Sequence, residues 1–144
     1  MSVEIVEMTV ADYDEVWALW SAAEGIGLHP QDVDSRQGIS AYLERNPGMS
    51  FVARDAEKLV GVVLCGTDGR RGYLSHLVVA ANHRQRGLGG RLVHRCLAKL
   101  KEMGITRCNL FVFDRNTSAQ AFWKKMGWKF YDEFGVKAMS RDVE

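Results

Sequence analysis

Apolar and polar residues alternate along the chain in patterns that predict a definite succession of helices and strands. Residues 3–8 alternate with a period of two, which predicts a strand, and residues 9–24 carry apolar side chains on one helical face. Residues 35–45 predict a second, shorter helix, which the sequence Asn46-Pro47-Gly48 ends. The N-terminal third is therefore predicted as one strand followed by two helices.

The middle of the chain predicts three strands and one long helix. Residues 50–54 and 59–65 are apolar runs joined by a short polar turn, as in an antiparallel hairpin, and residues 73–79 form a third run. Residues 87–103 place apolar side chains at helical spacing, and Gly104 follows as a C-terminal cap. This part is predicted to form the centre of the sheet and one covering helix.

The last third of the chain predicts a strand, a helix and a hairpin. Residues 105–113 predict a strand parallel to the one at 73–79, reached by a right-handed crossover. Asn116 caps a predicted helix that ends at Gly127, and residues 128–131 and 135–139 predict a final hairpin. The element order β-α-α-β-β-β-α-β-α-β-β indicates an α/β (α+β) fold with a mixed sheet and helices on both faces.

Composition and charge exclude several classes of function before any motif is considered. The 144 residues are 47% hydrophobic and 26% charged, and we predict one domain that spans residues 1–144. A net charge of +1 gives no strong field for nucleic acid or a membrane surface, and no apolar stretch is long enough to span a bilayer. Cys65, Cys96 and Cys108 lack metal-ligand spacing, which favours reduced core cysteines in a cytoplasmic protein without a metal site.

The segment between the strand at 73–79 and the helix at 87–103 carries the clearest chemistry. It is basic, rich in glycine, and leads into a helix N-terminus, whose first N–H groups have no partner within the helix. Such a turn holds a phosphorylated ligand, because glycine lets the backbone approach the anion and the helix dipole adds positive charge. A dinucleotide pattern needs a glycine where Leu92 stands, and the P-loop pattern is absent, which leaves R-x-x-G-x-G with Arg84, Gly87 and Gly89.

This hexapeptide resembles the acetyl-CoA pyrophosphate motif of the GNAT superfamily of N-acetyltransferases. Asn116 and the run at 122–128 are similar to the family's second signature, an asparagine followed by A-x-x-(F/L)-Y-x-x-x-G-(F/Y). The loop at 68–72, Asp-Gly-Arg-Arg-Gly, resembles that of a small bacterial subgroup, the YpeA-like acetyltransferases. The resemblance covers nearly the whole chain and implies the GNAT acyl-CoA N-acyltransferase fold, in which a splayed parallel pair of strands binds the cofactor.

The resemblance also implies where acetyl-CoA, the acetylated form of coenzyme A, binds. Its pantetheine arm is expected to pair with the backbone of the strand at 73–79, and its pyrophosphate with N–H groups of the glycine-rich turn. Asn116 matches the asparagine that hydrogen-bonds the arm, and it equally suits a plain helix N-cap. The implied cofactor-binding residues are Leu77, Val78, Val79, Arg84, Gln85, Arg86, Gly87, Leu88, Gly89, Gly90, Asn116 and Trp123.

Three positions are candidates for catalysis. The backbone N–H of Leu77 is expected to stabilise the oxyanion, a donor typically worth about 3–4 kcal/mol, and Ser75 lies on the same strand. Trp123 stands where the family usually has a tyrosine general acid, and an indole N–H cannot release a proton at neutral pH. We therefore expect a slower enzyme, or one that uses Tyr131 or Tyr73 as the acid. Packing in the core is the other role open to Trp123.

No general base is evident from the sequence. Strand alternation places the odd-numbered residues of 73–79 on one side of the strand and the even-numbered residues on the other. His76 has a side chain suited to accept a proton, although the sequence favours a half-buried histidine with satisfied hydrogen bonds. A water relay that ends at a carboxylate such as Glu24 is the alternative route.

The acceptor is expected to bind near residues 20–40, where the first two predicted helices cover the mouth of the cleft. Aromatic and acidic residues in this segment would suit a cationic amine. The alternative is that the tryptophans belong to the core and the acids to a solvated face. The residues predicted for the substrate are Trp20, Glu24 and His29, with Trp17, Asp32 and Asp34 nearby.

These observations leave two functional hypotheses from different classes. The first is an N-acetyltransferase, a monomer or homodimer, that moves the acetyl group of acetyl-CoA directly to a primary amine of a small molecule or peptide. The alternative is a catalytically weak or inactive acyl-CoA-binding regulatory domain. Nucleic-acid binding through Arg84, Arg86, Arg91 and Arg95 is a third idea, which the near-neutral charge and the lack of an aromatic platform argue against.

Overall fold

The computed structural model describes residues 2–143 and divides them into two compact units. One unit ends at Phe111 and the other begins at Val112, and each is described by itself. The prediction of a single domain stays a prediction. The first unit contains β1 (Val3–Glu7), α1 (Tyr13–Ala22), α2 (Arg36–Arg45), β2 (Phe51–Asp55), β3 (Lys58–Thr67), β4 (Gly72–Val79), α3 (Leu88–Glu102) and β5 (Cys108–Asn109), with short 3-10 turns at Val10–Asp12 and Ala81–His83.

The five strands form one mixed sheet in the order β1-β2-β3-β4-β5. The first four strands pair with one another antiparallel, and β5 pairs parallel to β4. Because α3 connects these two parallel strands, the chain crosses the sheet between them, as the apolar pattern predicts. The α/β (α+β) fold class with a mixed sheet is confirmed.

The sheet carries a helix layer on each face. Val62 of β3 packs with Trp20 of α1 and Ile39 of α2 in one apolar cluster. Gly61, the preceding residue, lies against Leu92 of α3, which a Cβ at position 61 would approach to 3.0 Å. Because successive strand residues point to opposite faces, α3 covers the face that α1 and α2 leave open. β3 is therefore buried on both sides.

The loop between α1 and α2 is held in place by polar contacts. The carbonyl of Asp34 accepts a hydrogen bond from the Tyr13 hydroxyl of α1 at 2.7 Å. His29 and Asp34 are joined by two bonds, one from each backbone N–H to an oxygen of the other residue. The Ser35 hydroxyl accepts from the N–H of Gly38 at 3.0 Å and caps α2. These contacts fix Asp34, which is buried, toward the sheet.

The second unit contains α4 (Thr117–Lys125) and a 3-10 turn (Tyr131–Phe134), and no strand within the described residues. The hairpin predicted at 128–131 and 135–139 is therefore wrong. The Glu133 carboxylate accepts from the N–H of Phe130, and the N–H groups of Gly135 and Val136 donate to carbonyls within the same turn. These local bonds occupy backbone groups that a hairpin would pair.

The strand predicted at 105–113 is much shorter than expected. Only Cys108–Asn109 pair with β4. Farther along, the carbonyl of Phe113 accepts from the N–H of Asn116 and from the side-chain amide of Gln120, and not from a neighbouring strand. Among residues 2–143, none of the helices combines the length and apolar character that a membrane crossing requires.

Gly38 provides a test of how tightly α2 packs against the loop that carries Asp34. A Cβ at this position would lie 2.6 Å from the Asp32 carbonyl oxygen and 2.7 Å from that of Val33, both backbone atoms that no rotamer change can move. Gly38→Ala should lower the free energy of unfolding by about 1–3 kcal/mol, although alanine is the better helix former by about 1 kcal/mol. Urea denaturation measures this, with the exposed neighbour Gln37→Ala as the control. A G38A protein as stable as Q37A would contradict the packing.

Candidate active site

The turn between β4 and α3 has the backbone shape of an anion site. Gln85 and Gly87 both have φ in the left-handed region, at 63° and 75°, and Leu88 begins the helix directly afterwards. Alternation of left- and right-handed residues turns successive N–H groups toward one concave side. Gln85 is not glycine, so the chain holds a conformation there that most side chains disfavour.

The helix that follows presents its N-terminus without a cap. Gly87 occupies the N-cap position, and no side chain of the described residues bonds to the first turn of α3. The first helical bond runs from the N–H of Arg91 to the carbonyl of Gly87, so the N–H groups of Leu88, Gly89 and Gly90 precede the internal ladder. A Cβ at Gly87 or Gly90 would meet no atom within 4 Å. The glycines therefore leave open space over donors that suit a diphosphate.

A buried histidine ties this turn to the sheet. His83, which is 7% exposed, places Nε2 at 2.8 Å from Oδ2 of Asp55, at the end of β2. Its Nδ1 lies 2.8 Å from Oδ1 of Asn82. The N–H of Ala80 also donates to the carbonyl of Val60 in β3. The contact between His83 and Asp55 was not predicted from the sequence. The one signal for it was a histidine immediately before the R-x-x-G-x-G motif.

Three arginines near the turn bond to backbone carbonyls of the sheet. Arg84 donates through Nε to the carbonyl of Val79, at the end of β4. Arg91 donates to the carbonyl of Val3, and Arg95 donates to that of Ile5, both in the edge strand β1. The side chains of Arg91 and Arg95 thus cover the outer edge of the sheet, which is one way in which proteins protect an edge strand.

The β5 side of β4 is open over most of its length. β4 pairs with β5 only through Gly72 with Cys108 and Tyr73 with Asn109, so residues 74–79 have no strand partner on that side within the described residues. The parallel pair expected from the resemblance is present, and it is limited to these two residue pairs. The candidate residues Leu77 and Val79 are half-buried, and Val78 points into the core.

β4 also departs from regular pairing with β3. The register pairs Ser75 with Leu64 and Val78 with Val62, so two residues of β4 stand opposite one residue of β3. This is a β-bulge, and its first residue, His76, has a φ of 52°. Both β3 partners face the core under α1 and α2, so Ser75 and Val78 lie on the same face of the sheet. The strict alternation predicted for residues 73–79 is wrong at this point.

The bulge is held by two side chains from outside the strand. The indole N–H of Trp20 donates to the carbonyl of His76 at 3.4 Å, and the two rings pack edge to face with centroids 5.0 Å apart. On the other side, Nε2 of His76 lies 2.9 Å from Oδ1 of Asp34. Asp34 was expected in a solvated face or a substrate lining, yet its side chain is only 5% exposed. The structure makes it the partner of His76.

The residues predicted for the substrate fall into two groups. Trp20 has no exposed surface, so it belongs to the core and the bulge and cannot contact an acceptor in this conformation. Glu24 and His29 are exposed in the loop that follows α1. On β4, Ser75 is exposed on the same face as this loop. Glu24, His29 and Ser75 therefore remain open to an acceptor.

The cysteines are not candidate nucleophiles. Cys65 and Cys96 are buried and reduced, as the sequence predicts, and Cys108 is half-buried. A hydrogen bond to Cys65, together with burial, raises the pKa of the Cys96 thiol far above its usual range. Burial raises the pKa of the Cys108 thiol to about 12. Because the thiolate is the reactive form, Cys96 and Cys108 are inert at neutral pH.

The second unit contains the two candidates that lie beyond Phe111. The Asn116 side chain accepts from the N–H of Ala119 at 3.1 Å, which confirms its role as the N-cap of α4. Trp123 is half-buried and packs edge to face against Phe122 and Trp128, with ring centroids 5.0 and 5.2 Å away. Trp123 therefore packs against neighbouring aromatic side chains, which is the structural role that the sequence left open for it.

Comparisons with known proteins agree with this arrangement. The model of the acetyltransferase (GNAT) family matches residues 13–128. An acetyltransferase of Sodalis glossinidius is 31% identical over 121 residues, which cover 84% of this chain and 83% of that one. An acetyltransferase of Yersinia enterocolitica is 30% identical over 129 residues, or 90% and 89% of the two chains.

A solved structure shows the same fold. The PaiA N-acetyltransferase of Thermoplasma acidophilum, crystallised in complex with coenzyme A, superposes with a TM-score of 0.77 over 90% of this chain and 91% of that chain, at 19% identity. At this identity the likeness concerns the fold alone. The family model and the two relatives decide the assignment: the chain belongs to the GNAT family of acetyltransferases.

Proposed function

We propose that this protein transfers the acetyl group of acetyl-CoA to a primary amine of a small molecule or peptide. As a GNAT family member it is an acetyl-CoA-dependent acetyltransferase. The observation that carries the proposal is the uncapped, glycine-lined N-terminus of α3, which directly follows a strand whose outer edge lacks a strand partner within the described residues. This pairing of features suits a ligand with a diphosphate and an amide-bearing arm.

The residues present fit coenzyme A. The N–H groups of residues 85–90 would bind the diphosphate, with charge from Arg84 and Arg86. The open backbone edge at residues 77–79 would pair with the amides of the pantetheine arm, as an added strand pairs with a sheet edge. Asn116 of the second unit serves as a helix cap through its side-chain oxygen, and its proposed bond to the arm rests on the resemblance to the family alone.

The chemistry needs a donor for the oxyanion and a route for protons. Leu77 lies in the bulge, where β4 leaves its regular pairing, and its N–H would polarise the thioester carbonyl. Ser75, exposed beside it, would hydrogen-bond the acceptor. Trp123 cannot supply a proton, but expulsion of an ordinary thiol of pKa about 8.5 as its thiolate at pH 7 costs only roughly 2 kcal/mol. Catalysis is therefore slowed and not abolished.

The acceptor is proposed to be cationic. Glu24 and Asp32 are exposed in the α1–α2 loop, and His29 is exposed between them. Carboxylates at the mouth of a site attract an ammonium group before it loses its proton. Arg71, the half-buried arginine of the loop before β4, would instead attract an acidic part of a larger acceptor.

A thiol-release assay separates this function from the alternative. With acetyl-CoA and a panel of alkyl amines, amino acids and peptides, an acetyltransferase releases coenzyme A thiol only when the accepted amine is present. The alternative, a regulatory domain that binds acyl-CoA, would bind the cofactor saturably and turn over no amine. No observation on the molecule favours that alternative over the first function, apart from Trp123 in place of tyrosine.

Gly90 tests the cofactor site without disturbing the fold. Because a Cβ there meets no atom within 4 Å, Gly90→Ala should keep the free energy of unfolding or raise it by about 1 kcal/mol. Gly90→Leu should weaken the affinity for coenzyme A by about 10- to 100-fold, the equivalent of one hydrogen bond to a charged group. Isothermal titration calorimetry measures the affinity. The exposed Ala98→Leu on the same helix is the control, and wild-type affinity in G90L would contradict the site.

Substitutions at Trp123 test whether this position is that of the general acid. Trp123→Tyr should raise kcat, by up to about 10²–10⁴-fold where the new hydroxyl reaches the leaving sulfur. Trp123→Phe removes the indole without adding a hydroxyl, so it reports the effect of packing alone. Steady-state kinetics at saturating acetyl-CoA provide the comparison. If W123Y is no faster than W123F, Trp123 does not occupy the acid's position.

A further inference from the structure

His76 of β4 and Asp34 of the α1–α2 loop form a partly buried pair. Nε2 of His76 lies 2.9 Å from Oδ1 of Asp34, and their side chains are 18% and 5% exposed. The two residues are 42 positions apart in sequence and come from a strand and a loop. From the sequence, His76 was a possible general base, although a half-buried histidine with satisfied hydrogen bonds was favoured, and Asp34 was placed near the acceptor. The proposed cofactor site uses neither residue.

Both oxygens of Asp34 are occupied, which fixes the direction of the carboxylate. Oδ2 accepts the N–H of His29 at 2.9 Å, and Oδ1 meets the imidazole. A carboxylate at Nε2 favours the neutral tautomer that carries its proton on Nε2. Nδ1 then holds the lone pair, and no described residue bonds to it. The ring is therefore arranged to accept a proton at Nδ1.

The backbone at His76 provides an independent indication. Its φ of 52° places a non-glycine residue in the left-handed region, within a bulge that Trp20 also holds. Such strain costs of order 1–3 kcal/mol and clusters at functional sites. His76 directly precedes Leu77, the residue proposed to bind the thioester oxygen. The strained residue therefore directly precedes the proposed oxyanion donor in the chain.

We propose that His76 accepts a proton from the acceptor amine and that Asp34 is its positioning residue, an inference that rests on the function proposed above. One proton passes from the ammonium nitrogen to Nδ1 of His76. The freed lone pair forms the C–N bond, the C–S bond breaks, and its electron pair goes to sulfur. The second proton of the nitrogen ends on that sulfur as the thiol, and His76 returns its own proton to solvent.

The other titratable groups around the ring do not compete for this role. On α1, burial raises the pKa of the Tyr13 hydroxyl, and the Asp34 charge raises it further, so this group stays neutral. Tyr73 shares the face of β4, and its hydroxyl donates to Asp68. In the α1–α2 loop, His29 meets the pair through its backbone N–H, and its side chain is exposed. β3 brings only apolar residues to this face.

The test compares His76→Gln, Asp34→Asn and the control His94→Gln, an exposed histidine of α3. The measurement is the pH profile of kcat/KM at saturating acetyl-CoA. H76Q should lose about 10²–10⁴-fold in rate and lack the acid limb that the wild type shows. D34N should lose less of the rate than H76Q and keep the acid limb of the pH profile. H94Q should match the wild type in both rate and profile. His76→Gly, which tolerates the positive φ, should regain activity on addition of imidazole.

Two further measurements separate this inference from the proposed function. All variants should bind coenzyme A like the wild type in calorimetry, which shows that the fold and cofactor site are intact. Ring ¹⁵N spectra at neutral pH should show His76 protonated at Nε2 in the wild type and lose that preference in D34N. An Nδ1–H tautomer, or an H76Q profile equal to the wild type, would overturn the inference while leaving the acetyltransferase in place. A wild type that binds coenzyme A but turns over no amine would overturn both.

The amine substrate also changes protonation with pH. Its contribution to the acid limb of the pH profile must be distinguished from that of His76. An α-amine and a lysine-type amine have pKa values of about 8 and 10.4, so a limb that belongs to the acceptor moves between the two substrates. A limb that belongs to His76 stays at the same pH with both. Movement of the whole acid limb with the acceptor would also count against His76.

Discussion

The partial pairing of β4 with both of its neighbours is the constraint on which the site depends. On one side β5 pairs with only the first two residues of the strand, and on the other the ladder with β3 is interrupted by the bulge at His76. Backbone polar groups left without partners cost about 1–3 kcal/mol each when they are buried. A strand with this much unused hydrogen-bonding capacity is stable where water or a ligand reaches it. The same gap in the sheet therefore leaves backbone groups at the open edge of β4 free to pair with the proposed cofactor.

Two histidine–aspartate pairs stabilise the irregular segments on either side of this edge. His83 with Asp55 fastens the turn before α3 to the end of β2, and His76 with Asp34 fastens the bulge to the α1–α2 loop. Each pair lies beside a non-glycine residue in the left-handed region, Gln85 in the first case and His76 itself in the second. Because such conformations cost energy, the surrounding contacts must hold them in place. The strained segments are those proposed to bind the diphosphate and the reacting groups.

The sequence predicted the features that depend on neighbouring residues. The turn at residues 85–90 could be identified because its glycines, its arginine and the helix after it are contiguous, and the apolar stripe of α3 gave the helix within about one residue. The bulge could not be predicted from the sequence. One extra residue shifts the alternation of apolar side chains by one position, and the residues before and after it still show the pattern of a strand. The pairing of His76 with Asp34 joins residues 42 positions apart, and no local pattern records such a distance.

The C-terminal predictions failed for a related reason. Residues 128–139 have the composition of a hairpin, yet the Glu133 carboxylate and the left-handed Gly135 stabilise a local turn instead. Trp20 was predicted near the substrate because an aromatic residue next to acidic ones suits an amine, and its burial shows that packing against the strand decided its place. Composition identified which residues could contact a ligand, while the tertiary contacts determined which of them face solvent.

Amide chemical-shift mapping during a coenzyme A titration tests the central claim most directly. In ¹H–¹⁵N spectra of the labelled protein, the backbone amides of residues 85–90 and 77–79 should shift saturably and together. Such a result would place the diphosphate at the helix N-terminus and the arm along the open edge of β4. Shifts confined to other parts of the chain, or no shifts at millimolar coenzyme A, would contradict the account.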